Sequence, residues 1–144
     1  MKILLVSPST RPKWKTPAAL MIPQLGLHIL EGLTPPEHEV KIVEEEVQDI
    51  NIDEPCDLVG ISCMTANAPR AYHLADEFRQ RGRKVVLGGV HPSILPDEAG
   101  RHADAVAVGE AEGVWNEVLA DASAGALRPR YHRPDPELEK YIPV

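Results

Sequence analysis

Asp57-Leu58-Val59-Gly60-Ile61-Ser62 is a short apolar run that opens on an acid and closes on a hydroxyl. Strict alternation would mark a strand with one wet face. A continuous apolar run bounded by polar residues instead marks a strand covered on both faces, as in a parallel sheet between helices. The same texture recurs at Lys2 to Ser7, Lys84 to Leu87 and Asp104 to Val108, and Glu39 to Glu44 alternates as a further strand.

Between these runs the period changes to that of a helix. From Ala68 to Arg81 the apolar residues Ala71, Leu74, Ala75 and Phe78 fall at i, i+3, i+4 and i+7, and Gly82 supplies the stop. Pro23 suits a first helical turn. Ile22, Leu25, Ile29 and Leu33 follow at helical spacing until Pro35-Pro36 ends the helix. A short helix is predicted over Asp97 to His102. The last begins near Glu112, uses Trp115, Val118, Leu119 and Ala122, and is closed by Gly125. Strands alternating with helices at these lengths require right-handed crossovers. The prediction is an α/β fold, a three-layer Rossmann-like (flavodoxin-like) sandwich with a five-stranded parallel sheet of order 2-1-3-4-5.

The 144 residues, 43% apolar and 26% charged, match one ordinary globular domain. No apolar run approaches the roughly 20 residues of a membrane span, and the opening apolar run is too short for a signal peptide, so a cytoplasmic location is expected. A formal charge of −7 argues against nucleic acid as a partner. Cys56 and Cys63 are too few for a disulfide framework or a cysteine-ligated cluster and read as small buried residues. After Leu127, four prolines in a polar stretch read as a linker. The division is a domain over 1–126 and a Pro-rich linker over 127–144, leading to a region outside this chain.

In an open parallel sheet, ligands bind outside the carboxyl ends of the strands. Those ends are Ser7-Pro8-Ser9, Ser62-Cys63-Met64-Thr65, Gly88-Gly89-Val90-His91-Pro92 and Gly109-Glu110-Ala111-Glu112. Glycines and small hydroxyl residues there let a large flat ligand approach the backbone. Each also has a plainer reading. A glycine serves a turn, Ser62 and Thr65 cap a helix, His91 sits in a solvated turn, and Glu112 meets a helix dipole. Arg11, Lys13, Lys15 and the run Glu44-Glu45-Glu46 read as solvated charge, whereas Trp14 in the first of these stretches reads as a contact for a partner or a substrate.

Taken together, Gly-Gly-x-His-Pro after strand four, Gly-Glu-x-Glu after strand five, Pro-Gln-Leu-Gly-Leu at residues 23–27 and the Asp57–Ser62 strand with its following Met-Thr resemble one family. It is the cobalamin-binding N-terminal domain of radical S-adenosylmethionine enzymes. The resemblance implies cobalamin as cofactor, with Pro8, Ser62, Met64, Thr65, Gly88, Gly89, Val90, His91, Gly109 and Glu110 as contacts. It implies no catalytic residue and no metal ligand within this chain.

Methyl transfer or ring-forming chemistry would belong to the full-length protein. There a four-iron–four-sulfur cluster and S-adenosylmethionine would sit in the C-terminal radical domain, this domain's partner. Other cobalamin domains carry Asp-x-His-x-x-Gly after strand one, whose histidine ligates cobalt. Here Ser7-Pro8-Ser9-Thr10-Arg11-Pro12 has no histidine, so cobalamin is expected to lack a histidine lower ligand. Two alternatives stand beside this reading. One is a family member that has lost cobalamin and acts as a docking scaffold. The other is a receiver-like signalling domain, disfavoured because Ser62 and Val108-Gly109 occupy the places of the phosphoacceptor aspartate and the lysine.

Overall fold

A computed structural model describes residues 1–134. A parallel sheet of six strands forms its centre, β1 (Lys2–Ser7), β2 (Glu39–Glu44), β3 (Leu58–Ser62), β4 (Lys84–Gly88), β5 (Ala105–Val108) and β6 (Arg130–His132), in the order β2-β1-β3-β4-β5-β6. The first five strands lie where the apolar runs place them. The helices are α1 (Leu25–Leu33), α2 (Ala68–Gln80), α3 (Val90–Ile94), α4 (Pro96–Ala99) and α5 (Trp115–Ser123).

Two-residue periodicity divides the buried runs between the two faces of the sheet. Leu4, Val6, Val59, Ile61, Val85 and Leu87 point toward α2, where they meet Ala71, Leu74, Ala75 and Phe78. Ile3, Leu5, Leu58, Val86 and Ala107 point the other way, toward Leu27 of α1 and Trp115, Val118 and Leu119 of α5. Each fully buried Leu, Val or Phe contributes about 1.5–3 kcal/mol of transfer free energy, so these two layers are the main source of stability.

The first helix departs from its expected face. It begins at Leu25, after Pro23, and its inward side is Leu27, Leu30 and Leu33. Ile22 and Leu25 stay in solvent at 86% and 70% exposure, so the spacing of Ile22, Leu25, Ile29 and Leu33 misassigns the stripe. The short helix predicted over Asp97 to His102 is α4, which starts at Pro96 and already ends at Ala99, and α3 precedes it where the sequence suggests a loop. The last helix starts at Trp115, and Glu112 lies in a 3-10 turn before it.

The larger correction is β6. Residues 127–144 read as linker, yet Arg130–His132 pairs with β5 through Val106↔Arg130, Ala107↔Tyr131 and Val108↔His132. Tyr131 is the reason: its ring is buried, and its hydroxyl donates to Asp121 Oδ2 at 2.8 Å and accepts the Arg128 N–H at 2.9 Å. Proline removes ladder hydrogen bonds but is tolerated beside an edge strand, so a proline-rich stretch can still contribute one. The rest of the predicted linker, 135–144, lies outside the described residues.

Candidate functional site

The carboxyl ends of β1, β3, β4 and β5 lie on one edge of the parallel sheet, and a pocket opens there on the α1 and α5 side. It is a slot of ≈ 150 Å³, smaller than the roughly 300–1,000 Å³ of sites that take a whole small molecule, so it has room for one part of a larger ligand. Its floor is sheet: Leu5, Gly60, Val86 and Ala107. One wall is α1, through Gly26, Leu27 and Leu30, and the other is the turn Ala111–Gly113 with Val114 and Trp115. The Trp115 indole is held by its Nε1–H, which donates to Thr34 Oγ1 at 2.9 Å.

Missing side chains make the space. A Cβ at Gly26 would meet nothing within 4 Å, and one at Gly88 would meet only Ala107, at 3.7 Å from its Cβ and 3.9 Å from its carbonyl oxygen. Any larger side chain at either position would project into the pocket. Gly60 answers to packing, because its Cβ would lie 2.8 Å from Leu5 Cδ2. Gly109 adopts φ +80°, a conformation that a side-chain-bearing residue rarely takes.

Of the candidate residues, Ser62, Gly88, Gly89, Gly109 and Glu110 line this pocket. Pro8, Met64, Thr65, Val90 and His91 do not. Met64, Thr65 and Val90 are exposed on the rim, and Pro8 is buried with its carbonyl accepting from Asn67 Nδ2 at 2.8 Å.

Gly89 corrects one expectation. Two adjacent glycines suggest that both make room for ligand, yet a Cβ on Gly89 would lie 2.7 Å from the Cys63 carbonyl oxygen and 3.0 Å from its nitrogen. With φ +104° and ψ −172° as well, this glycine serves the close approach of two loops, while Gly88 serves the open space.

His91 corrects another, since it is not a solvated turn residue. Its ring is buried, with Nδ1 3.2 Å from Thr65 Oγ1 and Nε2 3.1 Å from Glu98 Oε1. Tyr72 donates its hydroxyl to the same Glu98 oxygen at 2.9 Å. Hydrogen bonds from His91 and then Tyr72 hold the Glu98 carboxyl below its usual range, while burial and the Glu98 contact keep the Tyr72 phenol protonated.

Sequence reasoning missed the residues that tie the rim together. Asn67 accepts the Met64 N–H at 2.8 Å and donates to the Pro8 carbonyl, linking the loops after β3 and β1. Ser93 donates to the Gly89 carbonyl at 2.8 Å and accepts the Gly109 N–H at 2.9 Å, linking the loops after β4 and β5. With His91 bridging β3 to β4, the four loops form one hydrogen-bonded array. Small polar residues within a turn of each rim glycine or proline were the available signal.

Behind the rim, the buried Glu45 carboxylate accepts the Ser9 N–H at 2.9 Å and both Nε and a terminal nitrogen of Arg70. This pins the loop after β1, so Glu45 is not the solvated charge that its acidic run suggests.

A family model described as the B12 binding domain matches residues 17–119. The chain belongs to the B12-binding domain family. Among curated relatives, this B12-binding domain is 45% identical over 122 residues to a bacteriochlorophyllide d C-8(2)-methyltransferase of Chlorobaculum tepidum, covering 83% of this chain and 27% of that protein. A bacteriochlorophyllide d C-12(1)-methyltransferase of the same organism is 32% identical over 132 residues, covering 90% and 29%. An uncharacterised methyltransferase of Pyrococcus horikoshii is 32% identical over 138 residues, covering 87% and 30%. The chain thus spans less than a third of the length of each of these relatives. Among the described residues of the domain, no helix is long and apolar enough to cross a membrane.

Proposed function

We propose that this domain holds cobalamin for a cobalamin-dependent radical S-adenosylmethionine methyltransferase of the cytoplasm. The observation that carries the reading is the glycine-walled pocket at the carboxyl edge of the sheet. A side chain at Gly26 or Gly88 would fill it, and apolar Leu27, Ala107 and Trp115 line it. Such a slot suits a flat, largely apolar heterocycle, which is the base at the end of cobalamin's nucleotide tail. Ser62 and the backbone around Gly109 and Glu110 provide the few polar groups at its mouth. The rim loops beside it would carry the corrin. Bound cobalamin supplies a cobalt-carried methyl group for transfer.

This chain's own part is to bind and orient. The cross-loop hydrogen bonds of Asn67, His91 and Ser93 fix the rim before ligand arrives, which lowers the ordering cost of binding. Leu27 and Trp115 exclude water from the slot. The loop after β1, pinned by Glu45 and Arg70, carries no histidine toward the edge, which supports a cobalt without a protein imidazole beneath it. The cluster and S-adenosylmethionine would belong to a region beyond this chain, since Cys56 and Cys63 are both buried in the core. That region would cover the exposed apolar residues Trp14, Leu20, Ile22 and Leu25 ahead of α1 and at its start.

The test is direct. Purified domain is incubated with hydroxocobalamin, desalted, and read by visible absorption. Retention of near one equivalent is the expected result; a colourless protein would leave the docking-scaffold reading in its place.

A further inference from the structure

We propose that Thr65 presents its hydroxyl oxygen as a hydrogen-bond acceptor to a carboxamide N–H on the corrin periphery, and that His91 and Glu98 are the positioning residues that hold it so. The inference rests on the cobalamin reading and names a rim contact that the pocket itself does not include.

One hydrogen-bonded chain runs from the half-exposed Glu98 through the buried His91 to the exposed Thr65. Glu98 takes the Tyr72 hydroxyl on Oε1, and the His91 Nε2 lies 3.1 Å from the same oxygen. An ionised carboxylate accepts and cannot donate, so Nε2 must carry a hydrogen. In the neutral ring the other nitrogen, Nδ1, is then an acceptor, and its partner at 3.2 Å is Thr65 Oγ1. A hydroxyl has one hydrogen, and here it points inward to Nδ1. The lone pairs of Oγ1 are left facing outward. Thr65 is exposed, at the start of the 3-10 turn that follows β3, on the edge where ligand would lie.

Such a hydroxyl favours ligand groups that donate. Carboxamides, which ring the corrin, are neutral N–H donors of that kind, and a carboxylate in the same place would meet only lone pairs. The array also accounts for an internal expense: a tyrosine hydroxyl and a buried histidine meet on one carboxylate, and the histidine alone passes that order on to the threonine. A simple turn needs none of them. Asn67 and Ser93 tie the other loops with a single small side chain each.

Two measurements test it. In the ligand-free protein at neutral pH, nitrogen-15 chemical shifts should show His91 as the Nε2–H tautomer. A ring protonated on Nδ1, alone or together with Nε2, would overturn the proposal whatever the ligand. Binding is then measured with hydroxocobalamin and with cobinamide, which keeps the corrin carboxamides but lacks the nucleotide tail. Thr65→Val should weaken both corrinoids by about three- to tenfold, the scale of one neutral hydrogen bond, and Thr65→Ser should restore them. Equal binding by wild type and Thr65→Val overturns this proposal alone. Loss on Thr65→Val that serine does not rescue points to a packing role and overturns it too. No corrinoid binding by the wild-type domain overturns the proposed function and this contact with it.

Discussion

Gly89 lies with its α-carbon against the peptide of Cys63, so close that a Cβ would stand 2.7 Å from the Cys63 carbonyl oxygen. Cys63 N–H donates to the Gly88 carbonyl at 2.8 Å and His91 N–H reaches the Cys63 carbonyl at 3.2 Å, so neither backbone can retreat without breaking a bond. Gly89→Ala should therefore destabilise the fold by at least about 2 kcal/mol, from a glycine-only conformation plus the clash. Urea unfolding measures it, and a midpoint equal to wild type would contradict the geometry.

Gly88 behaves differently because its Cβ would find ordinary contact with Ala107. Gly88→Ala should fold and bind normally. Gly88→Leu should fold too, yet lose hydroxocobalamin affinity by more than tenfold, about 1.4 kcal/mol, while keeping cobinamide. Equal loss of both corrinoids would place the tail elsewhere.

Arg70→Met should destabilise by about 2 kcal/mol, since it strands the Glu45 carboxylate in the core. The figure is discounted because the arginine itself is partly exposed. Adding Glu45→Gln removes the uncompensated charge and keeps an acceptor for Ser9 N–H, so the double variant should regain part of the loss. A double variant less stable than Arg70→Met would show that the carboxylate does not need the arginine.

Both thiols are held in their neutral form. Burial first, then Glu98, pushes the Cys63 pKa up to about 12, and burial also raises that of Cys56. A folded pKa above the unfolded value means that this contribution to stability is complete below about pH 9 and is lost as pH climbs toward 12. At pH 8.5, iodoacetamide should modify neither residue in the native domain and both after denaturation, as read by mass spectrometry. Native labelling of Cys63 would mean that the β3 loop opens.

Reduced to cobalt(II), the bound cofactor should show no imidazole nitrogen splitting in its paramagnetic resonance spectrum. Splitting abolished by His132→Ala would overturn this, because β6 brings that ring beside Gly109, its Cδ2 lying 3.9 Å from where a Cβ there would be.

The strands were legible because continuous apolar runs between turn residues leave little alternative for a covered parallel sheet, and α2 because its stripe is uninterrupted. The face of α1 was misread since Ile22 and Leu25 are apolar for reasons other than the core; exposed apolar residues mimic a buried period. His91 and Glu98 could not be paired by inspection. Seven residues apart and in different short helices, they meet only because the chain turns at Leu95 between them. Tyr131 was hidden by its neighbours, since composition averaged over 127–144 outweighs one aromatic.

That tyrosine changes where the molecule can be cut. A fragment ending at residue 126 would look natural by proline content, yet it would unplug a ring that is 1% exposed and leave β5 as a bare edge, open to pairing with another copy. The fragment should aggregate where the chain carried through residue 134 stays in solution, so the smallest autonomous unit includes its own edge guard.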